Sequence, residues 1–286
     1  MITPLENYPE LAKALNIKKL YFKREDLHPY GSHKGRSIPP MIDHYLKNSD
    51  KDFVISSSGN AALAAAIHAD KLAGAINLEI YVGNHISKNK LVKIEKFTND
   101  NIHIIKKERP LRALTEAIQQ CKRSLRQSTD DMALIGYNSL AEELAHPENI
   151  GAVFIGTSSG TTSQALAQYF IDRKLNIQVH IIQTSSCHAM IDNFDRFDFV
   201  DEKSIADAIV DQSVNRKSKL IPLINKTGGR GWYASNENII SAQRFVHQYT
   251  GLEISPNSAL SVVGVMQAVY VNHEINGGVV CIICGE

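Results

Sequence analysis

The stretch Ala152-Val153-Phe154-Ile155-Gly156-Thr157-Ser158-Ser159-Gly160-Thr161-Thr162 decides the fold. Its first four residues are apolar without interruption, the habit of a strand buried on both faces in a parallel sheet. The run then breaks into a loop of two glycines, two serines and three threonines, and passes into a helix that the pattern carries toward Ile171. Strand, polar loop and helix make one βα unit. The loop sits at the strand's carboxyl end, where backbone N–H groups, hydroxyls and the helix dipole converge on a point suited to an anion.

The same unit recurs on either side. A short amphipathic segment from Pro9 to Leu15 precedes a strand over Lys18 to Lys23, which runs straight into Phe22 to Ser37. Lys51 to Ile55 is a second strand, ending in Ser56-Ser57-Ser58-Gly59-Asn60 before the alanine-rich helix Ala61 to Ala69. Leu78 to Val82 and Ile102 to Ile105 read as strands, with a helix between them that Ser87 caps and that carries Leu91, Ile94 and Phe97 on one face. Pro110 suits a first helical position, and Leu111, Leu114, Ile118, Cys121 and Leu125 follow at spacings of three and four, with Lys122, Arg123 and Arg126 toward the end of the expected helix.

Beyond the central unit, Ile177 to Ile182 is a strand, Ser235 opens a helix bearing Ile239, Ile240, Phe245 and Val246, and Gly251 closes it. Pro256 precedes an apolar helix over Ala259 to Asn272, and Gly277-Gly278 turns into a last strand, Val279 to Ile283. Phe194 to Asp201 and Val210 to Ser218 are polar and irregular, and no element is assigned to them. Strands alternating with helices make the chain α/β, with open, mostly parallel sheets and helices on both faces.

Bulk properties exclude several function classes. A hydrophobic content of 43% with 21% charged residues is that of a soluble globular protein, and a formal charge of +1 gives no reason to expect nucleic acid or an anionic membrane as partner. The start, Met1-Ile2-Thr3-Pro4-Leu5-Glu6, has neither a basic nor an apolar leader region, and no apolar run is long enough to span a bilayer, so a cytoplasmic protein is expected. Cys121, Cys187, Cys281 and Cys284 are too few and too scattered for a disulfide framework.

Three polar stretches carry candidate chemistry. The loop Gly156 to Thr162 has no lysine and no G-x-G-x-x-G spacing, which leaves a phosphate monoester, or simply a capped helix start. Ser57-Ser58-Gly59-Asn60 offers hydroxyls, an amide and backbone donors suited to a carboxylate, with Asn60 able to reach a phenolic oxygen; an ordinary helix cap has the same composition. In Gly31-Ser32-His33-Lys34 a glycine-flanked loop before a helix start gives an amine a fixed approach to a carbonyl, so Lys34 reads as the Schiff-base anchor of an aldehyde cofactor, or as a solvated lysine. Cys281 and Cys284 stand three apart on a strand and face opposite sides, with no second Cys or His pair, so no metal is expected. His28 and His33 read as solvated or backbone-bonded, and no G-x-S-x-G elbow is present.

In this order, and over nearly the whole chain, these stretches resemble the fold-type II pyridoxal-phosphate enzymes, the group of tryptophan synthase β subunits, threonine synthases, cysteine synthases and serine/threonine dehydratases. Lys23-Arg24-Glu25-Asp26-Leu27 with Gly31-Ser32-His33-Lys34 looks most like the tryptophan synthase β motif, while Ser57 to Asn60 looks like cysteine and threonine synthases. The loop Gly156 to Thr162 is closer to the cysteine synthase form, and Ser204-Ile205-Ala206 and Ser255-Pro256 match threonine synthase-like segments.

The resemblance implies pyridoxal 5′-phosphate as cofactor, with Lys34 as its Schiff-base lysine and the base at Cα. It puts Asn60 beside the phenolic oxygen, and Ser57, Ser58 and Gly59 on the substrate carboxylate. Gly156, Thr157, Ser158, Ser159, Gly160, Thr161 and Thr162 would cradle the phosphate, and Cys284 would face the pyridine nitrogen. It further implies two lobes, a large one of residues 1–37 and 146–286 and a small one of 38–145 that closes on substrate, with the cofactor between them. The implied activity is a lyase or synthase performing β- or γ-elimination or replacement on a small α-amino acid, threonine synthase-like or dehydratase-like, in a homodimer. A cysteine synthase-like β-replacement and a non-catalytic phosphate-ligand binding protein are the alternatives.

Overall fold

The computed structural model describes residues 2–146, 149–192, 194 and 203–285, so nearly all of the unassigned stretch from Phe194 to Asp201 lies outside the described residues. The chain runs β1 (Leu5–Asn7), α1 (Pro9–Ala14), β2 (Leu20–Arg24), α2 (Ile38–Lys47), β3 (Asp52–Ser56), α3 (Asn60–Lys71), β4 (Asn77–Gly83), α4 (Lys88–Glu95), β5 (Ile102–Lys107), α5 (Pro110–Gln119) and β6 (Arg123–Ser124). It continues through α6 (Met132–Ile135), α7 (Asn138–Ala145), β7 (Ile150–Gly156), α8 (Thr161–Asp172), β8 (Gln178–Thr184), α9 (Lys217–Lys226), β9 (Gly231–Ala234), α10 (Asn236–Thr250), α11 (Pro256–Tyr270) and β10 (Gly278–Ile283). Two compact units result, one of residues up to Leu27 together with Tyr137 onward, the other His28–Gly136. By this division Lys34 belongs to the smaller unit.

The larger unit is built on a six-stranded sheet in the order β1-β2-β10-β7-β8-β9. Only β1 runs antiparallel, at the edge; every other pairing is parallel, with Val280 in register with Tyr21 on one side and Val153 on the other. Successive residues serve opposite layers, as the period of two demands. Ala152, Phe154, Val279 and Cys281 pack with residues of α1, α10 and α11, while Val153, Ile155, Val280 and Ile282 pack with residues of α7, α8 and α9. Cys281 and Cys284 fall in different layers, as their spacing requires. Because the sheet is parallel, the carboxyl ends of β2, β10, β7 and β8 share one edge, the position at which such sheets bind ligands.

The smaller unit has four strands, all parallel, in the order β5-β4-β3-β6. Ile55, Ile80 and Val82 pack with Ile38, Met41 and Ile42 of α2, the alanines of α3 and Ile94 of α4; Val54 and Tyr81 pack with α5 on the other face. Here the structure corrects the sequence. The helix expected to run through Leu125 stops at Gln119, because Cys121 turns into a left-handed conformation (φ 64°) and the chain then adds β6 alongside β3. Its buried face is Ala113, Leu114 and Ala117, whereas Leu111 and Ile118 are exposed. Small side chains let the helix lie close on the sheet, and Leu125 is buried beyond it by donating its backbone N–H to Val54 O.

Six short elements, β1, β6, α6, α7, α9 and β9, have no counterpart in the sequence pattern. β9 is four residues long and α9 carries Pro222 in its interior, which reads as a breaker. Among the described residues no helix is long and apolar enough to cross a membrane.

Candidate active site

The loop after β7 is assembled largely from its own hydrogen bonds. Thr157 N–H donates to Ile182 O at 2.7 Å, and its Oγ1 lies 3.1 Å from Ile155 O and 2.8 Å from Ser163 Oγ, so its polar groups are spent within the unit. Ser158 Oγ accepts from the N–H groups of both Val210 and Asp211 at 3.1 Å, which leaves the hydroxyl free only to donate. The oxygens of Ser159 and Thr161 are 3.0 Å apart at the mouth of α8.

Gly160 makes the turn with φ 81°, and a Cβ there would come within 2.8 Å of Leu220 Cδ2, so both conformation and space require glycine. No side chain caps α8 and no acidic residue stands in its first turn. The positive end of a twelve-residue helix, flanked by hydroxyl donors and lacking any lysine, fits the phosphate of a monoester such as pyridoxal 5′-phosphate.

Cys284 follows β10, the strand between β2 and β7, and is 6% exposed. Its Sγ lies 4.0 Å from Ile282 O, and its carbonyl accepts a short hydrogen bond from Ser258 Oγ at the start of α11. Ser255 caps that helix by accepting from Ser258 N–H at 3.2 Å. Ser258 therefore fixes the backbone that carries the thiol; the sequence marked Ser255-Pro256 but not this residue, whose only signal was its place three after a cap. Cys281, by contrast, is a packing residue whose thiol burial pushes up to about 12, a shift that a Ser261 hydrogen bond partly offsets.

The charges of Lys23-Arg24-Glu25-Asp26 turn inward rather than toward a ligand. Lys23, 2% exposed, pairs with Glu143 of α7 and donates to Thr3 O at 2.6 Å; Glu25, fully buried, accepts from Thr3 Oγ1 at 2.5 Å. Arg24 bridges Glu6 of β1 (2.9 Å) and Asp26 (2.7 Å). These pairs staple the first residues and α7 to β2, at the edge where the chain leaves for the smaller unit.

In the smaller unit, residues 57–60 occupy the carboxyl end of β3 and the start of α3. All four are half-buried, and Ser57 Oγ accepts from Gly59 N–H at 3.3 Å. The helix has no side-chain cap and no acid in its first turn, and nothing lies within 4 Å of a Cβ built on Gly59. That is an open, donor-rich helix start that a carboxylate suits.

Lys34 is half-buried in a single helical turn, His33–Arg36, whose N-cap Ser32 accepts from Lys34 N–H at 3.3 Å. Ser37 closes the turn on Lys34 O, and its hydroxyl accepts from Gln127 Nε2 and donates to Ala133 O, both at 2.7 Å. Gln127 carried no sequence signal, since it reaches the lysine turn from ninety residues away. His33 is buried beside Lys34, and that burial, with the neighbouring charges of Lys34, Arg36 and His28, drives its pKa well below 6.5. It is a neutral interior residue, not the solvated one expected. Among the described residues no group of three His, Cys, Asp or Glu is arranged to hold a metal.

A family model described as "Pyridoxal-phosphate dependent enzyme" matches residues 2–285. The curated threonine synthase of Methanosarcina acetivorans is 23% identical over 288 residues, covering 93% of this chain and 69% of that protein. Among solved structures, a pyridoxal 5′-phosphate-dependent aspartate racemase superposes with a TM-score of 0.83 at 22% identity, over 100% of this chain and 90% of that one. The processed form of threonine deaminase isoform 2 from Solanum lycopersicum gives 0.81 at 20% identity, over 99% and 83%.

Proposed function

The chain belongs to the pyridoxal-phosphate dependent enzyme family, with pyridoxal 5′-phosphate as its cofactor, and from that premise we propose a lyase or synthase that eliminates or replaces a β or γ substituent on a small α-amino acid. When bound, the cofactor supplies an aldehyde that captures an amine and a ring that delocalises the electron pair left at Cα. In this reading Lys34 holds the aldehyde and, once released, takes the proton from Cα. Ser57, Ser58 and Gly59 orient the substrate carboxylate and Asn60 donates to the phenolic oxygen. Residues 156–162 retain the phosphate.

The observation that carries the reaction type is the buried thiol of Cys284 at the end of the central strand β10. A thiol beside the ring nitrogen, unlike a carboxylate, does not hold that nitrogen protonated, so the ring is a weaker electron sink. Chemistry that discharges the electron pair at once into a leaving group suits such a site. We further expect a cytoplasmic homodimer acting on a small amino acid, with neither nucleic acid nor membrane as partner.

The experiment loads the purified chain with cofactor and follows its visible band with serine, threonine, O-acetylserine plus sulfide, and O-phosphohomoserine, assaying keto acid, ammonia, acetate and phosphate. The reading expects release of a β or γ substituent from at least one of them. Formation of the mirror-image amino acid with no leaving group lost would replace it with a racemase. Cofactor binding without any turnover would favour a binding protein.

A further inference from the structure

The lysine turn lies against α3, the helix whose first residue is Asn60. Gly31, with φ 76°, brings its α-carbon so close that a Cβ would meet Leu63 Cδ2 at 3.2 Å. Two turns further along the same helix, His68 Nδ1 is 3.1 Å from the hydroxyl of Tyr30, and His68 Nε2 is 2.8 Å from Asp43 Oδ1 on α2. A carboxylate only accepts, so Nε2 carries a hydrogen, and in the neutral ring Nδ1 accepts from Tyr30. The result is a hydrogen-bonded chain, Tyr30–His68–Asp43, that spans both helices of this layer.

Tyr30 is in turn locked onto the lysine turn. A Cβ on Gly35 would lie 2.4 Å from Tyr30 Cβ and 2.5 Å from the His28 ring, so these two side chains occupy the space directly behind the residue that follows Lys34. Tyr30 N–H donates to His28 Nδ1 at 3.3 Å, and the Lys71 ammonium covers the Tyr30 ring at 4.1 Å from its centre. Lys34 and Asn60 are thus referenced to one rigid element: Asn60 begins α3, and eight residues, or about 12 Å of helix, separate it from His68.

We propose that Tyr30 and His68 are positioning residues that set where the Lys34 amine stands relative to Asn60, and thereby how readily it condenses with the cofactor aldehyde. The proposal rests on the assignment of Lys34 as the anchoring amine. It requires no contact of Tyr30 or His68 with the cofactor. An amine displaced by a fraction of an ångström from its line of approach condenses less completely, while ligand contacts that do not involve the amine are untouched.

The test compares two ligands on the apoprotein, pyridoxal 5′-phosphate and pyridoxine 5′-phosphate, the alcohol that cannot condense with an amine. Tyr30→Phe keeps the ring on Gly35 and Lys71 and deletes only the bond to His68. His68→Leu deletes both bonds, and His68→Gln retains an acceptor for Tyr30 and a donor for Asp43.

For Tyr30→Phe and His68→Leu the expected result is about a tenfold loss in affinity for the aldehyde, the scale of one lost hydrogen bond. Pyridoxine 5′-phosphate should bind as to the parent chain, and His68→Gln should recover most of the loss. Equal weakening for both ligands would reduce the chain to a merely structural role, and unchanged aldehyde affinity in Tyr30→Phe and His68→Leu would overturn the proposal. A Lys34→Ala variant that still forms the condensed species would instead overturn the assignment of Lys34, which keeps the two failures apart.

Discussion

The two polar loops of this molecule have the same grammar and opposite construction. Both follow a parallel strand and both open a helix of twelve residues without a side-chain cap. The loop of residues 156–162 is stiffened by four sets of bonds, through Thr157, Ser158, Ser159 and Ser163, and by a glycine that has neither room nor conformation for a side chain. The loop of residues 57–60 is half-buried, has a 3.3 Å bond from Gly59 N–H to Ser57 Oγ, and leaves open space at Gly59. A site that keeps its cofactor through many turnovers needs a prebuilt cradle, whereas one that admits and releases substrate needs a loop that can adjust.

Gly160→Ala attacks the stiff loop at its tightest point. The positive φ alone costs about 1–2 kcal/mol, and the contact with Leu220 adds to it, so cofactor affinity measured by fluorescence titration should fall by about a hundredfold or more, with a lower Tm. Gly59→Ala is the matching change in the open loop and should leave Tm within about 1 °C, since nothing stands in its way. Equal damage from both would erase the contrast.

Each unit also buries one neutral histidine. His33 lies beside Lys34, and His180 stacks on Phe154 at 4.2 Å and accepts at Nδ1 from Trp232 Nε1 (3.1 Å) and Arg230 N–H (3.2 Å). Burial holds both well below their ordinary 6.5. A depressed folded pKa means that the unfolded chain takes up protons first, so the stabilisation is complete above 6.5 and is lost as pH falls below it. Each histidine should contribute a loss of about 1.4 kcal/mol between pH 7.5 and 5.5 in urea unfolding; flat stability over that range would contradict the neutral assignments.

Thr157→Val keeps the shape of the side chain and removes the bonds to Ile155 O and Ser163, which should cost about 1–2 kcal/mol and weaken cofactor binding. Ser57→Ala, the smallest change, should move stability by less than about 0.5 kcal/mol and appear instead as a raised KM with little change in kcat. A Ser57→Ala enzyme with reduced Tm and unaltered KM would move residue 57 from the adjustable class to the stiff one.

How much of this was legible follows from where the signal lies. Apolar runs that break abruptly into serine, threonine and glycine exposed the junctions after β3 and β7, because a buried parallel strand has no polar positions to blur its end. The turn holding Lys34 was legible for its glycines. What stayed hidden were bonds that close over long separations: Gln127 reaches Ser37 across ninety residues, and Ser258 reaches Cys284 across twenty-six. The end of α5 was hidden for another reason. Its three-four periodicity continues through Cys121 and Leu125, and only the pairing of β6 with β3 explains why the chain leaves the helix there. His33 was misread because its burial is a property of the fold around it, not of the polar loop in which it sits.

The central claim is that Lys34 is the amine that holds the cofactor. Borohydride reduction of the cofactor-loaded chain, followed by proteolysis and mass spectrometry of the peptides, tests it most directly. The account predicts a single reduced phosphopyridoxyl adduct on Lys34, absent from Lys34→Ala. An adduct on any other lysine, or the same adduct yield in Lys34→Ala, would contradict it.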